Sequence, residues 1–442
     1  MQSEFYLTRQ TLYNKDRNGF IRAMLGPGNY PTKTGHAVTD TKRKQREQMR
    51  PLASRMAVMS GEGALSVFAR TKELEAQGKS IIHLELGEPD FHPANSVVEA
   101  LTQAVREGKD RYCPVPGVPE LKEELVAYLK RTRNVDLAAD NVVMAPGCKM
   151  SLFQAMMALI EPGDEVLYPD PGFPGYPSIT QGMGGVGVPF TLSEKNALQP
   201  DPEEIEAKIT PRTKAIITNS PGNPTGTVYT DAVQRRIAEL AVKHDLYVLS
   251  DEIYARIIYG REYLSMLRYP GMHERTLLID GFSKSFAMTG WRLGYTIAPP
   301  ELVPALNMLA INNYTCVAEF TQYAAIAALR DREGTTPRMV AEFEKRRDEF
   351  VRGLNGVAGF RCLPPEGAFY AWVNIHDTGM SAEEVCRIML EDAGVAGIPG
   401  AAFGPAGKEF VRFSFASSLE NLGIAVERIQ KVSAAWQGVA AR

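Results

Sequence analysis

The 442-residue chain is poor in the residues that would mark a metal centre, a disulfide scaffold or a membrane anchor. Its five cysteines, Cys113, Cys148, Cys316, Cys362 and Cys386, are odd in number, scattered, and never spaced C-x-x-C. That argues against a disulfide framework and a zinc site, and fits a reducing cytoplasm. The six histidines stand apart, with neither H-E-x-x-H nor a pair at helical spacing, so no metal is expected. No stretch approaches the ~20 apolar residues of a membrane span, and the N-terminus lacks the apolar core of a signal peptide. Net charge is only -3, which gives no reason to expect nucleic acid or an anionic membrane as partner. The charge is uneven, however: residues 1–50 carry ten Lys/Arg against four Asp/Glu, leaving a mildly acidic body behind a basic arm.

Hydrophobic content of 44% and charged content of 23% are those of an ordinary globular chain. At roughly 150 residues per domain, the length suggests two or three units. Residues 1–51 mix Tyr, Asn, Gly and Thr without period and end in "TKRKQREQMR"; they read as an N-terminal arm. They contain no helix-turn-helix pattern, which argues against a transcription regulator. From Leu52 the texture is ordered. "ALSVFARTKELEAQG" predicts an amphipathic helix ending at Gly78, and "SIIHLEL" a strand running into "GEPDF". An alternation typical of α/β chains follows, with strands in "NVVMAPG", "DEVLYPDPGFPGY", "GGVGVPF", "TKAIITNSPGNPTG", "LYVLSDEIY", "TLLIDGFSK" and "LGYTIA". The expected fold class is therefore α/β: a mostly parallel central sheet in a large domain, residues 96–335. A smaller α+β domain would be built from residues 52–95 and 336–442.

Polar and glycine residues repeatedly fall just after an apolar run, where an open parallel sheet binds ligands. "MAPGCKM" puts Gly147, Cys148 and Lys149 at a strand-to-helix junction, whose free N–H groups and dipole suit a phosphate. "SPGNPTG" is a sharp turn carrying Asn223. "LYVLSDEIY" sets Asp251 at the end of an apolar run, as a cap or as partner of a buried cation, with Tyr254 three residues on. "DGFSKSFAMTGWRLGY" places Lys284 between Ser283 and Ser285, and Arg292 eight residues later. One ligand needs all of these. Pyridoxal 5′-phosphate (PLP) has an aldehyde for a lysine, a ring nitrogen for a carboxylate, a phenolic oxygen for donors, and a phosphate.

In "GEPDF", "SPGNPTG", "SDEIY", "SKSFAMTGWRLGY" and "VRFSFA", in that order and spacing, the chain resembles the fold-type I, class I/II aminotransferases of the aspartate aminotransferase superfamily. The resemblance runs from about Leu52 to the C-terminus. It implies that Lys284 is the Schiff-base lysine and proton carrier, that Asp251 keeps the pyridine nitrogen protonated, and that Asn223 and Tyr254 donate to the phenolic oxygen. It implies that Arg292, Ser283, Gly147 and the amides of Cys148 and Lys149 hold the phosphate, and that Phe173 stacks on the ring. Tyr112, in "DRYCPVPG", matches a tyrosine that reaches the neighbouring subunit's phosphate, which implies a homodimer. Arg412 matches the arginine that grips the substrate α-carboxylate, with Gly87 lending a backbone amide and Asn223 alongside. Two departures stand out. Gly281 occupies the place of a phosphate-binding serine, so either one phosphate donor is missing or Ser283 or Ser285 replaces it, and Phe173 stands where a Tyr or Trp is commoner. The implied activity is transfer of an amino group between an amino acid and a 2-oxo acid. The scaffold leaves open PLP-dependent elimination, replacement, carbon–carbon bond formation or oxidation in specialised biosynthesis. Lys149 also matches a lysine that meets a substrate side-chain carboxylate in aspartate-type relatives. The arm is expected to pack across the dimer and wall the substrate channel.

Overall fold

The expected alternation of strands and helices is present in the computed structural model, which describes residues 50–434, Glu62 apart, and Trp436. After a short strand β1 (Ile82–His83), seven strands build one sheet: β2 (Val142–Ala145), β3 (Glu165–Asp170), β4 (Val186–Thr191), β5 (Thr213–Asn219), β6 (Tyr247–Asp251), β7 (Thr276–Gly281) and β8 (Gly294–Ile297). Their spatial order is β2-β8-β7-β6-β5-β3-β4. β4, β3, β5, β6 and β7 run parallel, and β8 is antiparallel to both of its neighbours, so the sheet is mostly parallel.

The strand sequences explain this burial. "AIIT", "YVLS" and "TLLI" are continuous apolar runs, as a sheet covered on both faces requires. Successive residues then point to opposite faces. Val166, Ile217, Leu249 and Leu277 join the core under the helix Cys148–Leu159. Leu167, Ile216 and Val248 join the opposite core with Ile237 and Leu240 of the helix Asp231–Lys243.

The C-terminal third adds β9 (Arg361–Cys362), β10 (Tyr370–Asn374), β11 (Val395–Ala396), β12 (Ile398–Pro399) and β13 (Phe410–Ser414). An antiparallel sheet runs β12-β13-β10-β9, while β1 pairs in parallel with β11. Its core takes Ala371, Val373, Val411 and Phe413 from the strands, and Met339, Phe343, Phe350 and Leu354 from one face of the helix Thr335–Leu354. The stretch "SIIHLEL" forms a shorter strand than expected. After His83 the Leu84 N–H still reaches the Ala396 carbonyl (3.2 Å), but its own carbonyl accepts from Ser414 N–H (2.7 Å), so the chain leaves β11 for β13.

From Arg55 onward the described residues form one compact unit. The expected arm, apart from Arg50 and Pro51, lies outside the described residues. Among the described residues no helix is long and apolar enough to cross a membrane, and no group of three His, Cys, Asp or Glu could hold a metal.

Candidate active site

Parallel pairing brings the carboxyl ends of β5, β6 and β7 level: Asn219 lies opposite Asp251, and Asp251 opposite Ile279. The loops leaving these ends carry Asn223, Tyr254 and Lys284. On the far side of β7 and β8, Gly147 ends the turn out of β2 with φ +90, a conformation open to glycine, and the helix Cys148–Leu159 starts directly after it. The first N–H groups of that helix have no intrahelical acceptor, so the turn presents donors.

Each named side chain has a definite setting. Asp251 accepts from the Tyr176 hydroxyl at Oδ2 (2.7 Å) and from the Ile253 N–H at Oδ1 (3.3 Å). Asn219 ties two loops together, accepting from the Asn223 N–H (2.9 Å) and donating to the Asp251 carbonyl (3.2 Å). Lys284 Nζ donates to the Gly87 carbonyl (2.5 Å), so the GEPDF segment closes on the lysine. Arg292 lies along Gly147, donating to the Thr289 (2.8 Å) and Pro146 (3.4 Å) carbonyls. Phe173 packs edge-on against Tyr176 at 5.5 Å, and Lys149 Nζ stands 5.6 Å from the Phe173 ring centre.

Arg412 is on β13, an inner strand of the antiparallel sheet, between Trp372 and Ile398, and is only 4% exposed. Its guanidinium lies against the rings of Tyr370 (4.5 Å) and Phe403 (4.8 Å). One amine donates to Asn223 Oδ1 (3.0 Å) and the other to the Glu85 carbonyl (2.6 Å). Tyr370 also meets Tyr254, hydroxyl to hydroxyl, at 2.7 Å.

Burial sets the charge states. It pushes the Asp251 carboxyl up to about 6, against the Tyr176 and Ile253 hydrogen bonds and with help from the nearby Asp280 and Glu252 charges. Burial brings the Lys284 amine down to about 8; Glu88 opposes this, and the positive charges of Arg412 and Arg292 add to it. Behind both loops lies a buried ion network. Arg133 donates to Glu252 (2.6 Å) and pairs with Asp280, which also accepts from the Tyr295 hydroxyl (2.9 Å). One buried arginine thus answers two carboxylates that directly follow Asp251 and β7 residue Ile279.

The sequence model for aminotransferase class I and II matches residues 79–429. The chain is 36% identical to the aspartate aminotransferase of Geobacillus stearothermophilus over 86% of its length and 98% of that relative. It is 38% identical to the aspartate/prephenate aminotransferase of Thermus thermophilus, over 87% and 99%. The crystallographic aspartate aminotransferase of Thermus thermophilus with maleate superposes with a TM-score of 0.83 at 36% identity, covering 87% of this chain and all of that one. The chain belongs to the class I and II aminotransferases.

Enzymes of this family use PLP, and the aminotransferase shows features that suit such a group. Gly147, Gly281 and Gly294 leave the head of the helix Cys148–Leu159 bare. A Cβ on Gly294 would lie 2.7 Å from the Cys148 nitrogen, and one on Gly147 would lie 2.5 Å from an Arg292 amine. The same packing accounts for Gly281: a Cβ there would stand 2.8 Å from Gly294 Cα and 2.9 Å from Cys148 Sγ, so no serine fits. Gly87 has a comparable reason, since a Cβ would run into the Tyr370 hydroxyl. Ser283 and Ser285 are buried in the loop of Lys284, and the Ser285 carbonyl accepts from Thr336 (2.6 Å). Tyr112 is 86% exposed.

Sequence reading of the aminotransferase missed Tyr176, Asn219, Tyr370 and the Arg133 network. A tyrosine three residues after Phe173, and a charged residue at the end of "TLLID", were the available signals.

Proposed function

We propose that this aminotransferase binds PLP in the cleft between β2, β5, β6 and β7, and moves an amino group from a dicarboxylic amino acid of the aspartate class to a 2-oxo acid. The observation that carries the reading is the gathering of a fixed guanidinium, Arg412, a lysine with its amine brought down to about 8, Lys284, and a half-buried acid, Asp251, around one set of strand ends. When bound, PLP supplies an electron-withdrawing ring that takes up negative charge from the substrate Cα.

The chain's residues divide the remaining work. Lys284 Nζ would hold the cofactor and, as a free amine, would carry the proton to and from the substrate Cα. A general base of this kind typically contributes about 10²–10⁴-fold, and an amine near 8 is half free at mildly alkaline pH. Asp251, oriented by Tyr176, offers its carboxylate to the ring nitrogen. Asn223 and Tyr254 donate to the phenolic oxygen. Arg292, Ser283, Gly147 and the amides of Cys148 and Lys149 would hold the phosphate at a helix N-terminus, and Phe173 would cover the ring. Arg412 presents two amines to the α-carboxylate, steadied by the Tyr370 and Phe403 rings, with Gly87 and Asn223 beside it.

Lys149 next to Phe173 is the candidate for a second substrate carboxylate. The names of the Geobacillus and Thermus relatives support the aspartate class. Exposed Tyr112 supports a homodimer in which it serves the other copy's site. Residues 96–335 would form the cofactor domain, and 52–95 with 336–442 the smaller one. The test is selectivity: L-aspartate should exceed L-alanine in kcat/KM, and Lys149→Met should erase most of that preference while leaving L-alanine turnover in place. Equal use of both amino acids by the unaltered enzyme would refute the dicarboxylate assignment.

A further inference from the structure

His83 faces a carboxylate with each ring nitrogen: Nδ1 is 2.7 Å from Glu85 Oε1, and Nε2 is 2.9 Å from Glu75 Oε1. Ionised carboxylates only accept hydrogen bonds, so the ring meets both only as the imidazolium. Glu85 is fully buried, at 0% exposure, and its second oxygen has no hydrogen-bond partner among the described residues. A buried carboxylate needs a compensating charge, and His83 is the cation placed to supply it. The same residue touches the substrate arginine from its backbone side: the Glu85 carbonyl accepts from Arg412 at 2.6 Å. Leu84, just before it, is fixed to Ala396 and Ser414. The histidine's charge and the arginine's fork therefore meet in one residue.

The surroundings leave this pairing undisturbed. On the helix Gly63–Ala76, Lys72 holds the other oxygen of Glu75 at 2.9 Å, and Arg70 is engaged by Glu73 and Glu391. β11 presents Val395 and Ala396, which do not titrate. Lys79 and Arg428 are directed to the backbone carbonyls of Glu391 and Ser80. Among the described residues, Glu75 and Glu85 are the titratable groups that face the ring.

We propose that His83, as the imidazolium, is a positioning residue for substrate binding: it compensates buried Glu85 and so holds the Glu85 carbonyl that aligns Arg412. The proposal rests on the assignment of Arg412 to the substrate α-carboxylate. Burial lowers the affinity of His83 for its second proton, but its hydrogen bonds to Glu75 and Glu85, with their charges, outweigh that and leave the pKa above the ordinary 6.5. As pH rises through that raised value the ring loses a proton, Glu85 loses its cation, and Arg412 loses alignment.

The PLP-loaded enzyme is assayed with L-aspartate from about pH 6 to about pH 9, together with His83→Gln, Glu85→Gln, the double variant and Arg412→Lys. In the unaltered enzyme KM should rise across this range. His83→Gln should show a KM raised on the order of tenfold at the acid end, as for loss of one charge-assisted bond, without that rise and with kcat within about twofold. The double variant, which removes the buried charge as well, should recover most of the lost affinity. The limb due to Lys284 should persist in kcat for every variant that keeps Arg412 and Lys284. A separate readout uses the cofactor-free protein: the imidazole proton signal missing in His83→Gln should titrate above about 6.5 in the unaltered chain, and lower in Glu85→Gln. A His83→Gln profile parallel to the unaltered one, or a His83 titration at or below the ordinary value, overturns the proposal. If Arg412→Lys leaves KM unchanged, the assignment of Arg412 falls and this proposal with it. If Arg412→Lys raises KM while His83→Gln follows the unaltered enzyme, only the role of His83 falls.

Discussion

Replacing Asp251 with asparagine should make the cofactor-free protein more stable while disabling the enzyme. The carboxyl is raised from 3.8 to about 6, chiefly by burial, with Asp280 and Glu252 adding to it. At 1.36 kcal/mol per pKa unit, carrying the charge at neutral pH costs about 3 kcal/mol of folding free energy. Asp251 is partly open to solvent, which screens some of that, so ~1–2 kcal/mol is the expected change. The direction follows from proton binding. The folded chain holds this proton more tightly than the unfolded one, so stability falls as pH rises from about 4 to about 6 and stays reduced above that. Asparagine carries no charge and keeps an oxygen to accept from the Tyr176 hydroxyl. The assay is urea unfolding of the cofactor-free proteins between about pH 4 and about pH 8, comparing midpoints and slopes. The variant should lie above the unaltered protein at pH 8, and the two should converge near pH 4. With PLP bound the order of merit reverses: kcat should fall on the order of 10²–10³-fold, because the ring nitrogen has lost its carboxylate. A variant less stable at pH 8, with an unchanged dependence between pH 4 and pH 6, would refute the claim that Asp251 is held in place for a cationic partner.

Lys284→Ala should leave the fold and PLP affinity largely intact but abolish any borohydride-fixed bond between cofactor and chain, with turnover below detection. Mass spectrometry of the reduced protein checks this, and a fixed cofactor in the variant would sink the assignment. Arg412→Lys should raise KM for L-aspartate at least about tenfold while PLP affinity changes little, because a point charge replaces a planar fork. Equal loss of both affinities would mean that Arg412 is structural.

Much of the site was legible because its residues end apolar runs. Asp251 closes "YVLS", Asn223 and Lys284 follow β5 and β7, and Gly147 separates β2 from its helix. A parallel sheet buried on both faces writes its strands as such runs, and the loops after them gather at one edge. The antiparallel placement of β8 was not legible, since "LGYTIA" reads the same in either direction. Nor was the ion network under the site: Arg133 is 119 residues from Glu252 and 147 from Asp280, so their meeting depends on strand order, which local pattern does not carry. Tyr176, Asn219 and Tyr370 escaped for the same reason, as each acts on a residue supplied by another segment of the chain. Gly281 shows the reverse case. It looked like a missing phosphate donor, and the structure explains it by the contact with Gly294 and Cys148 that only glycine permits.

Lys284, Asp251 and Arg412 are assigned to amino-group transfer, a reaction in two halves. Its most direct test mixes the PLP-loaded enzyme with L-aspartate alone and counts the product. One equivalent of oxaloacetate per site should form and then stop, with turnover resuming only when a 2-oxo acid is added. Continuous release of ammonia or carbon dioxide without an acceptor would contradict that assignment and point to elimination or decarboxylation on the same scaffold.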